Sequence, residues 1–129
     1  MKEGFKILAV EDEIAVAQLL ALVLCGPSCT VTTAGDGEEA LAKIAASLRP
    51  FDVIITDHNM PKMSGLELVR HLRSHDFGGK IAILSAHLTE TNILAYEELN
   101  VDLMLSKPFD VNELRQSIEG LASGAPVTA

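Results

Sequence analysis

Short apolar runs alternate with helical segments five times along the chain. The apolar runs are rich in aliphatic and β-branched residues and predict strands, and the segments between them have the polar starts and the lengths of helices. The residue 51–56 run is apolar almost throughout, which is typical of a strand covered on both faces. The predicted strands are residues 6–10, 30–33, 51–56, 80–84 and 102–106, and the predicted helices are residues 13–24, 36–46, 64–74, 90–99 and 110–121.

Polar residues mark where the predicted helices begin. In a capping box, a polar residue before the helix and a Glu three positions later satisfy each other's free backbone N–H groups. Thr89 is a candidate cap for the fourth helix. The pairs with capping-box spacing are Asp36 with Glu39, Ser64 with Glu67, and Asp110 with Glu113.

Five strands separated by helices predict an α/β fold. Right-handed crossovers make such strands parallel and cover both faces of the sheet with helices. We therefore expect a doubly wound, flavodoxin-like domain with strand order 2-1-3-4-5. A length of 129 residues fits one domain, which we place at residues 1–122, followed by a flexible C-terminal tail at residues 123–129. We expect no effector domain, so the chain is either a stand-alone protein or an excised part of a longer one.

The charge balance is acidic throughout. The chain has 18 acidic and 10 basic residues, a net charge of −8, and the excess is equal in the two halves. Direct nucleic-acid binding is therefore not expected, because no segment is basic enough to follow a phosphate backbone. The longest apolar stretch, residues 14–26, is too short to span a bilayer, so we expect a soluble, cytoplasmic protein. Cys25 and Cys29 are accordingly expected to be reduced thiols.

Several chemically active residues follow the predicted strands. Glu11 and Asp12 follow the first strand, Asp57 the third, Ser85 the fourth and Lys107 the fifth. Ligands of doubly wound folds bind beyond the carboxyl ends of the strands, so these side chains are expected to share one edge of the sheet.

Those residue types favour phosphoryl chemistry. Carboxylates held close together repel one another unless a cation joins them, and hard oxygen ligands suit Mg²⁺. A lysine beside them can pair with a carboxylate or a phosphoryl group, and a serine hydroxyl can donate to a phosphoryl oxygen. An aspartate in this setting is a competent nucleophile toward phosphorus, which would give an aspartyl phosphate.

Each of these residues also has a simpler interpretation. Asp12 or Glu13 could cap the first helix, and Asp57 could open an Asx turn. Ser85 could merely end a strand, and Lys107 could be a solvated turn residue before a proline.

The motifs together resemble the receiver domain of two-component response regulators, from residue 5 to about residue 121. The sequence is similar in particular to stand-alone receivers of the chemotaxis type. Residues 10–13 (VEDE), 57–61 (DHNMP) with Gly65, 84–86 (LSA) and 106–109 (SKPF) carry it.

The resemblance implies a role for each site residue. Asp57 would accept a phosphoryl group from a sensor histidine kinase or a phosphotransfer protein. The implied Mg²⁺ ligands are Asp12 directly, Glu11 through water, Asp57, and the backbone carbonyl of Asn59. Lys107 and Ser85 would contact the phosphoryl group, and the bond from Lys107 to Pro108 would be cis.

One departure from the family concerns signalling. Met104 stands where receivers usually have a switching Tyr or Phe, so we expect coupling through Ser85 to be weaker or differently routed. His87 falls where the family tunes dephosphorylation, although it could also be an exposed loop residue. His58 is expected to be a surface loop residue. His71 and His75 have a zinc-compatible spacing, but a solvated helix face is the expected alternative.

The predicted function is a phosphoacceptor signalling switch rather than a metabolic enzyme, although it catalyses its own phosphorylation and dephosphorylation. The alternatives are a pseudo-receiver that only binds partners, and an aspartyl-phosphate phosphatase. The face formed by the fourth helix, fifth strand and fifth helix, including Tyr96, Glu97 and Arg115, is expected to bind a downstream protein or form a homodimer.

Overall fold

A computed structural model describes residues 5–24 and 29–122, with strands and helices alternating along them. The strands are β1 (Phe5–Val10), β2 (Cys29–Ala34), β3 (Val53–Thr56), β4 (Lys80–Ser85) and β5 (Leu103–Ser106). The helices are α1 (Ile14–Val23), α2 (Gly37–Ala46), α3 (Gly65–Ser74), α4 (Glu90–Glu98) and α5 (Val111–Ala122). The expected tail at residues 123–129 lies outside the described residues.

The strands form one parallel sheet in the order β2-β1-β3-β4-β5. This confirms the predicted doubly wound, flavodoxin-like fold. The register aligns the carboxyl ends of the central strands, since Val10 of β1 lies opposite both Ala34 of β2 and Thr56 of β3. Ser85 of β4 lies opposite Ser106 of β5. Residues that follow these positions are therefore brought to one edge of the sheet.

Each face of the sheet carries its own apolar core, because successive strand residues point to opposite sides. Ile7 and Ala9 of β1 pack with residues of α1 and α5, whereas Leu8 and Val10 pack with residues of α2, α3 and α4. Helices cover both faces as predicted. Among residues 5–24 and 29–122, no helix has the length and apolar character needed to cross a membrane.

The helix starts largely follow the polar signals in the sequence. Ser64 and Glu67 form the complete capping box of α3. The side chains of Thr89 and Asp110 accept hydrogen bonds from backbone N–H groups three positions later, at 3.1 and 2.9 Å respectively.

The start of α2 differs from the expected capping box. Asp36 accepts from the Glu39 N–H at 2.8 Å, as predicted. The Glu39 carboxylate, however, accepts from the N–H of Gly35 rather than that of Asp36, at 3.2 Å. It also forms an ion pair with Lys43 one turn later, so the side chain is shared between two partners.

The prediction of a reduced thiol at Cys29 is wrong. Cys29, the first residue of β2, is disulfide-bonded in the structure. A sulfur–sulfur bond needs two β-carbons about 4 Å apart, which depends on the local backbone path and is not fixed by sequence spacing. Cys25 lies outside the described residues.

Candidate functional site

Backbone hydrogen bonds extend the sheet one residue beyond its strands and fix the candidate site. The N–H of Glu11 donates to the Ala34 carbonyl at 2.9 Å, and the N–H of Asp57 donates to the Val10 carbonyl at 3.1 Å. On the other side, the N–H of Lys107 donates to the Ser85 carbonyl at 3.0 Å. The predicted strand-end residues are therefore held on rigid backbone, and their side chains converge.

Three carboxylates meet at this edge. Oxygen atoms of Glu11, Asp12 and Asp57 all lie within 4.8 Å of one another. Glu11 and Asp57 are buried, whereas Asp12 is exposed and marks the solvent side. This set of hard oxygen donors with one open side fits a small divalent cation that retains water ligands.

Lys107 lies between two of these carboxylates. Its Nζ is 2.6 Å from Glu11 Oε1 and 3.0 Å from Asp57 Oδ2. We call Glu11, Asp12, Asp57 and Lys107 the acidic site. One ammonium group among three carboxylates leaves the acidic site net negative, as a cation site requires.

Burial and the neighbouring charges shift the pKa values of Glu11 and Lys107. Burial raises the pKa of Glu11, although the hydrogen bond from Lys107 opposes this effect. Burial by itself would lower the pKa of Lys107, but the hydrogen bonds to Glu11 and Asp57 outweigh it, so this pKa is raised. Lys107 therefore remains a cation at neutral pH. The bond from Lys107 to Pro108 is cis, as expected.

Ser85 lies at the end of β4 with its side chain unsatisfied. The residue is only 2% exposed, and its Oγ has no hydrogen-bond partner in the part of the chain that the structure describes. A buried hydroxyl without a hydrogen-bond partner costs free energy. The Ser85 hydroxyl is therefore available to donate a hydrogen bond to a bound group.

Met104 and His87 both line a cavity of about 520 Å³ beside Ser85. Met104 is half-buried and His87 is exposed.

Asn59 is exposed in the loop after Asp57. His71 of α3 and His75 at its C-cap are exposed, and their rings stack with centroids 4.1 Å apart.

His58 is not the surface loop residue that the sequence suggested. Its backbone N–H donates to Asp57 Oδ1 at 2.7 Å. Its half-buried imidazole contacts α4, with Nδ1 2.6 Å from the Tyr96 hydroxyl and Nε2 3.1 Å from Asn92 Nδ2. We call His58, Asn92 and Tyr96 the His58 link.

Tyr96 is fully buried, so placing it on an exposed partner face was wrong. The three-residue spacing of Ile93 and Tyr96 in α4 and Leu99 at its C-cap could have indicated an inward-facing side. Glu97 is exposed on α4, and Arg115 of α5 is half-buried. Tyr96 and His58 are 38 positions apart in the sequence, so no local pattern predicts their contact.

Comparison with known proteins agrees with this geometry. A family profile of the response regulator receiver domain matches residues 7–119. The transcriptional regulatory protein PhoP for alkaline phosphatase synthesis of Bacillus subtilis is 34% identical over 124 residues, 96% of this chain and 51% of PhoP.

Solved structures are similar over nearly the whole chain. The chemotaxis protein CheY4 of Vibrio cholerae has a TM-score of 0.82 and 32% identity, covering 92% of this chain and 98% of CheY4. The response regulator TrrA of Thermotoga maritima, solved in complex with Mg(2+)-BeF, has a TM-score of 0.79 and 32% identity, covering 91% of this chain and 98% of TrrA. The chain spans about half the length of the curated relatives it matches. The extent of the profile match, together with these relatives, shows that the chain belongs to the response regulator receiver domain family.

Proposed function

We propose that the chain is a phosphoacceptor switch in which Asp57 receives a phosphoryl group. The observation that carries this proposal is the environment of Asp57. Its carboxylate is almost buried, yet it bonds to Lys107 and lies within 4.8 Å of oxygen atoms of Glu11 and Asp12. Such a carboxylate is held in place as a nucleophile beside a lysine that can offset the charge of an incoming phosphoryl group.

The acidic site is the proposed Mg²⁺ site. Glu11, Asp12, Asp57 and the backbone carbonyl of Asn59 are the residues that would hold the ion. Mg²⁺ supplies positive charge that stabilises the oxygens of a transferring phosphoryl group. The close approach of the three carboxylates supports this assignment, as does the similarity to TrrA, which was solved in complex with Mg(2+)-BeF.

The transfer step needs few protein groups. A carboxylate oxygen of Asp57 attacks the phosphorus of a phosphohistidine, a new P–O bond forms, and the P–N bond breaks with its electron pair returning to the imidazole. Lys107, already 3.0 Å from Asp57 Oδ2, stabilises the added negative charge. Ser85 Oγ is a free donor for a phosphoryl oxygen. We assign tuning roles to His87, for hydrolysis of the acyl phosphate, and to Met104, for signal output.

We place the receiver domain at residues 1–122 and the protein in the cytoplasm. A sensor histidine kinase or a phosphotransfer protein would be the phosphodonor. The face of α4, β5 and α5, now represented by Glu97 and Arg115, would contact a downstream protein or a second copy of the chain. PhoP, a transcriptional regulatory protein, is about twice as long as this chain. For the residues of this chain we propose regulation through protein contacts, since its net charge of −8 opposes direct nucleic-acid binding.

The test is phosphorylation by a small donor. The protein is incubated with Mg²⁺ and acetyl phosphate and weighed by intact-mass spectrometry. We expect a phosphoryl adduct in the unchanged protein and in Asp76→Asn, an exposed control, and none in Asp57→Asn.

Two other outcomes would contradict the proposal. Absence of an adduct with any donor would favour a pseudo-receiver that binds partners without chemistry. Sustained hydrolysis of unrelated phosphate esters would favour an aspartyl-phosphate phosphatase.

A further inference from the structure

A chain of hydrogen bonds runs from Asp57 to helix α4. Asp57 Oδ1 accepts from the backbone N–H of His58 at 2.7 Å. The side chain of the same residue contacts Tyr96 and Asn92, one turn apart on α4. The His58 link therefore joins the candidate phosphoacceptor to a helix that begins more than 30 residues later.

The partners define the donors and acceptors in the ring. The Nδ2 atom of Asn92 is a donor, so Nε2 of His58 accepts from it. The ring proton then resides on Nδ1, which donates to the Tyr96 hydroxyl oxygen. Both ring nitrogens are used, and the two rings meet edge to face at 80° with centroids 5.6 Å apart. The imidazole is therefore held by three separate contacts with α4.

Gly65 allows this close approach. A β-carbon at Gly65 would lie 2.2 Å from the Asp57 carbonyl oxygen, 3.0 Å from His58 Cα and 3.0 Å from the Tyr96 hydroxyl. The N–H of Gly65 also donates to the His58 carbonyl at 2.8 Å. The start of α3, the peptide after Asp57 and the Tyr96 hydroxyl thus pack directly against one another, with little space to move independently.

A buried tyrosine usually finds a hydrogen-bond partner for its hydroxyl, and that alone could explain the contact with His58. Three observations indicate a larger role. The partner is the residue whose N–H binds Asp57, and the charge of Asp57 is, after burial, a cause of the raised pKa of Tyr96. In addition, residue 104 is a methionine, which has neither the aromatic ring nor the hydroxyl of a switching tyrosine.

We propose that the His58 link transmits the phosphorylation state of Asp57 to α4, with His58 and Tyr96 as positioning residues. The inference rests on the proposed function, because it requires a modified Asp57. Converting the carboxylate to an acyl phosphate changes the acceptor that faces the His58 N–H. The His58 peptide adjusts, and its imidazole carries the adjustment to Asn92 and Tyr96. Helix α4 is thereby displaced without an aromatic residue at position 104.

The test measures the response of α4 separately from the chemistry. Backbone amide NMR shifts of residues 90–98 are recorded before and after adding Mg²⁺ and beryllofluoride, the ligand present in the TrrA structure. Adduct formation with acetyl phosphate is measured on the same proteins by mass spectrometry. In the unchanged protein we expect both an adduct and a change in the α4 shifts.

Tyr96→Phe keeps the buried ring and removes only the hydroxyl. We expect it to form the adduct while the change in the α4 shifts falls by about threefold or more. His58→Ala, which leaves the Tyr96 ring in place, should give a similar reduction. The double variant should show no further reduction, because residues in one linkage are not additive. Glu97→Gln, at an exposed position of α4, is the control and should keep the full response.

The inference is overturned if Tyr96→Phe and His58→Ala form the adduct and keep the full α4 response. It is also overturned if either variant no longer forms the adduct, since the link would then serve the chemistry itself. Failure of the unchanged protein to form an adduct would instead contradict the proposed function, so the two failures are distinguishable.

Discussion

The two carboxylate oxygens of Asp57 face regions of opposite character. Oδ2 faces the acidic site, where Lys107 and Glu11 form a buried ion pair. Oδ1 faces the His58 link, which is built from a backbone N–H, an imidazole, an amide and a phenol. The first region contains three carboxylates and one ammonium group, whereas the second consists of hydrogen-bonding groups with no carboxylate or ammonium among them.

The difference indicates a division of labour around one side chain. Charges act over several ångströms and can attract a cation or a phosphoryl group before any fixed geometry exists. Neutral hydrogen bonds act only at contact and depend on angle, so they respond to small displacements. The acidic site is suited to binding and reaction, and the His58 link is suited to sensing that the reaction has occurred.

We expect the greatest loss of stability from Gly65→Ala, which crowds Asp57, His58 and Tyr96 where the two regions meet. The new β-carbon would meet the Asp57 carbonyl at 2.2 Å, and this contact is with backbone that cannot rotate away. We expect the free energy of unfolding to fall by about 3 kcal/mol or more in urea denaturation, because overpacking forces backbone shifts.

Gly120→Ala in α5 is the matched control. A β-carbon there meets nothing within 4 Å, so alanine should stabilise the helix by up to about 1 kcal/mol. Equal effects of the two substitutions would show that the crowding around Gly65 is not tight.

A smaller loss is expected when only the acidic site is broken. Lys107→Met leaves Glu11 and Asp57 without their cation in a mostly buried place. We expect a loss of about 2 kcal/mol in the free energy of unfolding, measured without divalent cations. The raised pKa of Glu11 limits this loss, since the carboxyl can take up a proton.

Lys62→Met is the control for Lys107. Lys62 pairs with Asp36 at 3.7 Å on the surface, where an ion pair contributes about 0.5 kcal/mol or less. A similar small loss for Lys107→Met would mean that Lys107 is not needed to offset the buried carboxylates.

We expect the smallest change in stability from the ionisation of Tyr96, a residue of the His58 link. Burial, followed by the charge of Asp57, raises the pKa of Tyr96, which is the only tyrosine in the sequence. An unfolded tyrosine ionises near pH 10, so stability should fall as the pH rises above 10, because only the unfolded state releases this proton.

Ultraviolet absorbance of phenolate measures this directly. At pH 11 we expect little phenolate in the folded protein and about nine-tenths ionisation in urea, where the pKa is near 10. Phenolate absorbance that appears near pH 10 while the far-ultraviolet circular dichroism stays native would mean that Tyr96 is accessible to solvent.

Sequence reasoning predicted the acidic site because its residues are placed by the sheet. Asp57 and Lys107 directly follow strands, and Glu11 follows another, so topology alone brings them to one edge. The resemblance to receiver domains added their expected roles. The spacing of polar residues likewise located the starts of α3 and α4, since capping is a local interaction.

Sequence reasoning was wrong about His58 and Tyr96 for the opposite reason. A histidine in a loop and a tyrosine on a weakly amphipathic helix are each typical of a surface. Their contact depends on how α4 packs against the start of α3, where Gly65 leaves the necessary space. The disulfide bond of Cys29 was also not predicted, because residue spacing alone does not give the distance between two β-carbons.

The order of strands and helices along the chain is therefore sufficient to predict the parallel sheet, its carboxyl edge and the charged residues on that edge. Periodicity and strand order are enough for this, because every residue that follows a parallel strand is carried to the same side. The contacts of the His58 imidazole with Asn92 and Tyr96, next to the backbone N–H that binds Asp57, became visible only in the folded structure. Those contacts arise from the packing of helices whose relative positions no local pattern specifies.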